Sequence, residues 1–244
     1  MALSASTNFV ATRDDIITRA LRIVGAIGTN EVGDPSAVTE AAMALNMIVK
    51  ERQADGMQLW NIDTNSNALT ASTGSYNIGT GSTINKEAPL KIIQAWLRNT
   101  TTNTDTPLIL LTKQDYDRYG NKAQTGRPSQ LFYKTPGPNV TEMIGNITLY
   151  PVPDTDTATN YTLYWTGMYP LQDFDTSTDN PDFPSYYFNA LTWLLADELA
   201  YEYGVPLQER GMIARKAQEH LQQALSFDIE EGSFVIQPTP NWGY

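Results

Sequence analysis

The side chains that could perform chemistry are few in this sequence, and they do not form a catalytic set. The chain has one histidine, His220, and no cysteine. A Ser-His-acid set needs a histidine that a carboxylate holds in place, yet His220 lies in a charged, helix-like stretch and the sequence has no G-x-S-x-G elbow. The lack of cysteine excludes disulfides, thiolate metal sites and cysteine nucleophiles. We therefore predict a protein that is not an enzyme and uses no cofactor.

Three further groups have suitable residue types but lack the spacing of a site. Residues 79–82, Gly-Thr-Gly-Ser, resemble a phosphate-binding loop without its lysine and the helix that should follow, so they predict a turn. Asp154 and Asp156 could act as a carboxylate pair. The aspartates of residues 173–179 could hold calcium, but the glycine of an EF-hand loop is missing. We expect solvated loops in both places and no metal site.

The charge distribution is uneven and strongly acidic. The chain carries 27 acidic and 16 basic residues, a net charge of −11. Such a chain is a poor general binder of nucleic acid, because phosphate contacts need lysine and arginine. Residues 135–209 contain no lysine or arginine at all. This stretch is typical of a solvated acidic surface.

The most basic stretch, residues 113–134, has tyrosines between its cations. Basic and aromatic side chains together suit contact with nucleic acid. The same stretch is compatible with a solvated loop that faces an acidic neighbour, and the sequence leaves both interpretations open. The residues are Lys113, Tyr116, Arg118, Tyr119, Lys122, Arg127, Tyr133 and Lys134.

Apolar residues at helical spacing predict four helices, two at each end of the chain. Thr12 is expected to cap the first helix, and Ser185 the third. The third helix is apolar almost all round, which is typical of a buried helix. The predicted helices are residues 13–27, 35–55, 185–203 and 206–227.

Between these helices the period changes to that of strands and turns. We predict an antiparallel sheet or small sandwich, in which residues 146–150 and 161–165 form a hairpin across a polar loop. The predicted strands are residues 57–62, 90–97, 107–111, 131–133, 144–150 and 161–169, and a short helix is expected at residues 113–119.

The predicted fold class is α+β, because helical hairpins at the two ends must hide their apolar faces against each other. An antiparallel helical bundle of residues 12–56 and 185–227 would carry an inserted, antiparallel β-rich domain of residues 57–184. Residues 228–244 are too short and proline-rich for a domain and are expected to form an extended C-terminal arm. The exposed apolar residues of this arm would be Phe234, Val235, Ile236, Trp242 and Tyr244.

Nothing in the sequence predicts a membrane protein. No apolar run reaches the roughly 18 residues that a span requires. Residues 1–12 are small and polar and lack the basic and apolar regions of a signal peptide. We expect folding in a cytoplasm and no membrane partner.

Four segments of the sequence form a pattern through their order and spacing. They are residues 15–25 (DIITRALRIVG), 51–60 (ERQADGMQLW), 149–154 with 161–165 (LYPVPD and YTLYW), and 187–204 (YFNALTWLLADELAYEYG). Together these segments resemble the head-to-tail adaptor family of short-tailed bacteriophages, which includes tail tubular protein A and head-completion adaptors. The Thr-rich residues 99–106 and the loop of residues 120–128 do not match that family.

The resemblance implies a structural virion protein at the head–tail junction. Family members form a ring, typically twelvefold, that docks beneath the portal and meets the tail nozzle or tubular protein. DNA passes through the channel of the ring without sequence-specific binding. On this basis we expect Asp197, Glu198 and Glu202, or the acids of the loop at residues 173–182, to face the channel and the C-terminal arm to bind the portal.

Three alternatives remain open at this stage. The chain could be a connector or stopper ring of a long-tailed phage, although such proteins commonly lack a large β insertion. It could be a carbohydrate-binding tail module that uses Tyr164, Trp165 and Tyr169. The C-terminal arm could also pack on a neighbouring subunit and close the ring instead of binding the portal.

Overall fold

The described part of the chain clusters into two compact units. The helical unit comprises residues 9–48 and 174–227, and the β unit comprises Val49–Asp173. Six helices and a curled seven-stranded sheet in the described residues confirm the mixed α+β class. The structure is a computed structural model that describes residues 9–54, 61–137 and 143–227.

The first helix, α1, spans Arg13–Ile23 and begins at the predicted residue. Thr12 and Asp15 form a capping box: the Thr12 hydroxyl accepts from the Asp15 backbone N–H at 3.3 Å, and the Asp15 carboxylate accepts from the Thr12 N–H at 3.0 Å. The predicted end at residue 27 is wrong. The helix stops four residues earlier because Gly25 takes the left-handed conformation, with φ +75°.

The second helix, α2, spans Pro35–Ala54. Asp34 stands before it, where its carboxylate accepts from the Ser36 backbone N–H at 2.9 Å. The apolar face read from the sequence is buried, since Ala41, Leu45 and Val49 are fully covered.

The helical unit contains two further long helices, α5 (Phe188–Glu202) and α6 (Leu207–Phe227). The predicted cap at Ser185 is wrong, because a 3₁₀ turn over Ser185–Tyr187 precedes α5 and no side chain caps that helix. Helix α5 packs against both α1 and α6, which explains why it is apolar on more than one face. Its buried residues include Leu191, Leu195, Ala196 and Leu199.

The β unit is built on a sheet of order β1-β9-β3-β4-β6-β7-β2, with a separate two-stranded pair, β5-β8. Two short helices, α3 and α4, lie in the connections. The bounds are β1 Ile62–Ala68, β2 Ser75–Ile78, β3 Lys91–Asn99, β4 Asp105–Leu111, α3 Lys113–Asp117, β5 Thr125–Gly126, β6 Gln130–Lys134, β7 Gly145–Tyr150, β8 Val152–Pro153, α4 Thr155–Asn160 and β9 Tyr161–Met168.

The topology corrects two predictions. Strands β7 and β9 do not form a hairpin, because β7 lies between β6 and β2 while β9 lies between β1 and β3. The polar residues between them form β8 and then α4, whose first turn is capped by Asp154. The sheet is also not wholly antiparallel, since β4 pairs with β6 in parallel, and so does β5 with β8.

The core of the β unit lies inside the curled sheet. Large side chains from strands far apart in the sequence meet there and are completely covered. Burial of apolar area on this scale is the main term that stabilises such a sheet. The most deeply buried residues include Tyr76, Leu97, Leu131, Ile147 and Trp165.

Candidate interaction surfaces

The three acids predicted to face a channel lie on α5 but do not share one environment. Glu198 and Glu202 are exposed and one helical turn apart, so they lie on the same face of the helix. Asp197 is half-buried. Burial raises the pKa of the Asp197 carboxyl, and the positive charge of Arg210 partly opposes that rise.

The C-terminal end of α5 belongs to a larger acidic surface than the sequence suggested. Burial and the carboxylates of Glu40, Glu202 and Asp34 all raise the pKa of the Tyr203 hydroxyl, which places these acids around one side chain. No basic residue lies in the last turn of α5. Acids near a helix C-terminus add to the negative end of the helix dipole. The helical unit therefore has a concentrated negative surface, to which Asp34 and Glu40 contribute from a distant part of the sequence.

The aspartates of the acidic loop have structural partners instead of a metal. The carboxylate of Asp173 forms an ion pair with Lys50, with 2.7 Å between Asp173 Oδ1 and Lys50 Nζ. The carboxylate of Asp179 accepts from the backbone N–H groups of Asp175 and Thr176 at 2.8 and 2.6 Å, and the Thr176 hydrogen bonds lower its pKa. Among the described residues, no group of three or more acids or histidines could hold a metal ion.

Other sequence candidates are also used for local structure. The Gly81 N–H donates to the Asn85 side chain at 2.8 Å, so the glycine-rich segment is a turn whose donors are occupied. The Asp154 carboxylate caps α4 through the Thr157 N–H at 2.8 Å. His220 stacks on Trp193, with ring centroids 6.1 Å apart, on the surface between α5 and α6.

The tyrosines of the basic stretch form ring stacks in the β unit. Tyr116 stacks on Phe132 with centroids 5.6 Å apart, and Tyr119 stacks on Tyr150 at 4.0 Å. The ammonium group of Lys122 lies 5.4 Å from the Tyr116 ring centre. Each of these rings therefore has one face covered by another ring of the β unit.

Tyr133, which the sequence grouped with that surface, belongs to the interior. Its hydroxyl donates to the backbone oxygen of Pro89 at 2.5 Å, and burial raises its pKa strongly. A substitution of Tyr133 would therefore test the core of the β unit and not the basic surface.

The cations of the same stretch are largely engaged within the chain. Three of them contact acidic or hydroxyl groups at distances of 2.5, 3.4 and 3.1 Å. The two ion pairs are exposed to solvent, where such pairs contribute little to stability. The pairs are, in that order, Lys113 with Asp117, Arg118 with Asp115, and Arg127 with the Tyr161 hydroxyl.

The aromatic residues of the carbohydrate alternative are not available for a sugar. Trp165 is fully buried and Tyr169 is 8% exposed. Tyr164 stacks on Trp96 with centroids 5.7 Å apart, and the Arg98 guanidinium lies 4.7 Å from its ring centre. The three aromatic residues occur in one segment because successive side chains of strand β9 point to opposite faces of the sheet. Trp165 points into the core, and Tyr164 points to the other face, where it stacks on Trp96 of the neighbouring strand.

The predicted arm residues lie outside the described part of the chain. Within that part, no helix is both long and apolar enough to cross a membrane. The surfaces described above are charged, aromatic and apolar patches.

A family model described as SU10 adaptor protein matches residues 11–232. The chain therefore belongs to the SU10 adaptor protein family, a family of phage head–tail adaptors. This result confirms the assignment to phage head–tail adaptors, whereas the tail tubular protein A-like subtype stays a prediction. No curated protein matches the chain.

Proposed function

We propose that this chain is a subunit of the adaptor ring that joins the portal of a phage head to the tail, as in tail tubular protein A and the head-completion adaptors. The observation that carries the proposal is the family match across residues 11–232. In this proposal the chain is located at the head–tail junction of the virion. Its partners are the portal protein, a tail nozzle or tubular protein, and further copies of itself. The ring is typically twelvefold in proteins of this kind.

The part of the surface proposed to face the DNA channel is the exposed acidic face of α5. Glu198 and Glu202 have no ion pair with any described residue, so their charge is available to solvent. A wall of negative charge repels phosphate and lets DNA slide without sticking. Asp197 contributes more weakly to this wall, because its side chain is half-buried beside the charge of Arg210.

The C-terminal arm is proposed to anchor the ring to the portal. This proposal rests on the sequence of residues 228–244, where Phe234-Val235-Ile236 has strand propensity and Trp242 and Tyr244 supply aromatic anchors. Exposed apolar groups of this kind mark partner sites. Added strands gain backbone hydrogen bonds from their partner.

The proposed function is tested by mixing the purified chain with tail-less, portal-bearing heads and examining the product by negative-stain microscopy and mass photometry. We expect a ring on the portal vertex, and tails that attach only after this ring has formed. A chain that stays monomeric and leaves the portal vertex bare would overturn the proposal.

A truncation after Phe227 tests the arm separately. The truncated chain should fold but lose its affinity for the portal. If it binds portal-bearing heads with unchanged affinity, the arm is not the anchor. If it binds but no longer forms rings, the arm closes the ring on a neighbouring subunit.

Charge reversal tests the channel. Particles that carry Asp197→Lys, Glu198→Lys and Glu202→Lys should eject DNA slowly or retain it in the ring. A matched control is a set of reversals in the β unit, Asp63→Lys and Asp156→Lys, at exposed positions. Normal ejection by the α5 variant would remove these acids from the channel.

A further inference from the structure

Helix α6 carries two stripes, of which only one is covered within the chain. The buried stripe packs toward the helical unit and consists of Ile213, Ala217, Leu221 and Ala224. Beside it lies an exposed stripe whose first four members follow the alternating four- and three-residue spacing of a coiled-coil seam. The stripe continues seven residues later at Leu225, because the intervening position, Leu221, belongs to the buried stripe. We call this stripe the α6 seam. Its exposed members are Leu207, Gly211, Ala214, Gln218 and Leu225.

The α6 seam contains no charged residue and is apolar at both ends. Leu207 is 82% exposed and Leu225 is 39% exposed. An exposed helix face on an acidic protein is expected to carry charges, as the neighbouring exposed face of α6 does with Arg215 and Glu219. An uncharged face with exposed leucines is typical of a surface that another element covers.

Gly211 is an independent sign of close approach by another molecule. It lies inside a helix, where glycine is less stable than alanine, and it does not use a left-handed conformation. A Cβ atom added at Gly211 would meet nothing within 4 Å. The folded chain therefore offers no internal reason for the glycine, whereas a helix packed closely across the seam would.

Helix α2 has an exposed face with protruding side chains, in contrast to the small residues at the middle of the α6 seam. Met43 and Met47 lie one turn apart and are 63% and 61% exposed. Thr39 lies one turn earlier on the same face and is also exposed. Methionine side chains are long, flexible and polarisable, so they fill shallow, irregular grooves. We call Thr39, Met43 and Met47 the α2 knobs.

The charges beside the two faces are complementary. On α2, Glu40 lies beside the knobs and is exposed, whereas the charge of Lys50, one turn after Met47, is paired with Asp173. Arg210 and Arg215 lie on the two sides of the α6 seam, and the Arg215 side chain is 81% exposed. Charges of opposite sign beside an apolar seam set the partner and register of packed helices.

We propose that the α2 knobs of one copy of this chain pack into the α6 seam of a second copy. The two faces differ, and both are exposed, so they do not cover each other within one chain. A contact between unlike faces is heterologous and propagates into a closed ring or a filament. The inference rests on the proposed ring and names the surfaces through which its subunits meet.

Blocked variants test this arrangement. Gly211→Trp fills the seam and leaves the knobs intact, whereas Met43→Glu with Met47→Glu removes the knobs and leaves the seam intact. Each variant alone should be monomeric by mass photometry. Their mixture should form a one-to-one dimer and nothing larger, because only one intact pair of unlike faces remains. The control Gln223→Trp, on the charged side of α6, should assemble like the unmodified chain.

Two results would overturn the proposal. Dimers of either blocked variant alone would show that like faces pair with each other. Unchanged assembly of Gly211→Trp would show that the seam is free or takes another partner. A thermal melt of each variant verifies folding, and Gly211→Ala should raise the melting temperature of the monomer while weakening assembly.

If rings form only on the portal, the interface is tested by cross-linking in assembled particles. The chain has no cysteine, so engineered pairs give an unambiguous signal. In particles assembled with Met43→Cys and Ala214→Cys in one chain, oxidation should produce a ladder of linked subunits, while either cysteine alone should give single subunits. Particles that join tails normally without this ladder would overturn the interface and leave the adaptor function standing. A ladder of linked subunits from a chain that does not bind portal-bearing heads would support the interface and overturn the adaptor function.

Discussion

The helical unit and the β unit differ in how much of their apolar surface they hide. Of the fifteen large apolar residues that are exposed in the described chain, twelve lie in the helical unit and three in the β unit. The β unit stacks its aromatic residues on one another or buries them. The helical unit therefore has the exposed apolar surface that is typical of binding sites for other proteins, whereas the β unit covers most of its apolar surface with its own residues.

The two units also differ in net charge. The described helical unit has six basic and thirteen acidic residues, whereas Val49–Asp173 has ten basic and eleven acidic residues. Net charge of one sign opposes compaction and favours partners of opposite charge or solvent-filled spaces. The helical unit is thus both acidic and rich in exposed apolar residues, whereas the β unit is nearly neutral.

The largest expected effect is in the β unit. Trp165→Ala should lower the free energy of unfolding by about 3–5 kcal/mol, because Trp165 is fully buried and its indole N–H donates to the Tyr169 hydroxyl at 3.3 Å. Urea denaturation followed by circular dichroism measures it. Assembly with partners should not restore the loss if the β unit is self-contained. Trp96→Ala, at a half-buried position of the same sheet, is the control and should cost less.

A second substitution examines the helical unit. Leu195→Ala removes a side chain with no exposed area at the centre of α5, and it should cost about 2–5 kcal/mol. Leu194→Ala, at the neighbouring half-buried position, should cost less. In contrast to the tryptophan variant, this one should regain stability in assembled particles, because partners that bind only the folded chain stabilise it. An unchanged melting temperature would count against the placement of Leu195 in a core.

The helices were accessible from the sequence because their signals are local. Thr12, Pro35 and Gly204 mark helix ends through capping chemistry that acts within a few residues. The apolar stripes of α2 and α6 repeat over several turns. The end of α1 was predicted too late because Gly25, which takes a positive φ, ends the helix before residue 27.

The sheet was harder to predict because strand pairing is not local. Strand β1 reads Ile-Asp-Thr-Asn-Ser-Asn-Ala and has no apolar alternation, since it is an edge strand that pairs only with β9. The mutual register of Asn65 with Trp165 joins residues 100 positions apart. The unlike faces of α2 and α6 were also missed, because an exposed methionine reads in a sequence like a buried one.

A smaller effect is expected at the start of α1. Thr12→Ala removes the hydroxyl of the capping box and should cost about 1 kcal/mol. The Thr12 hydrogen bonds lower the pKa of the Asp15 carboxyl. A lowered folded pKa gives stability that is fully present above the unfolded pKa and is lost as the pH falls from there through the folded pKa. The difference between Thr12→Ala and the unmodified chain, measured by urea denaturation, should therefore shrink below about pH 4. Thr39→Ala, in the exposed interior of α2, is the control.

The smallest effect concerns Asp197, and it distinguishes acids that face solvent from an acid that the helical unit itself has partly buried. Burial raises the pKa of the Asp197 carboxyl, and the charge of Arg210 opposes the rise without cancelling it. A raised folded pKa means that the ionised carboxylate destabilises the fold at higher pH, and that this cost disappears as the pH falls below the unfolded value of about 3.9.

Asp197→Asn should accordingly raise the free energy of unfolding at pH 7 by an amount on the order of 0.5 kcal/mol. The gain should fade as the pH is lowered toward 4, where the aspartate becomes neutral in both states. Glu198→Gln, at the exposed position next along α5, should change stability less at either pH. If Asp197→Asn instead destabilises the chain at pH 7, attraction to Arg210 outweighs burial. Asp197 would then be an internal partner of α6, and the channel face of α5 would consist of Glu198 and Glu202 alone.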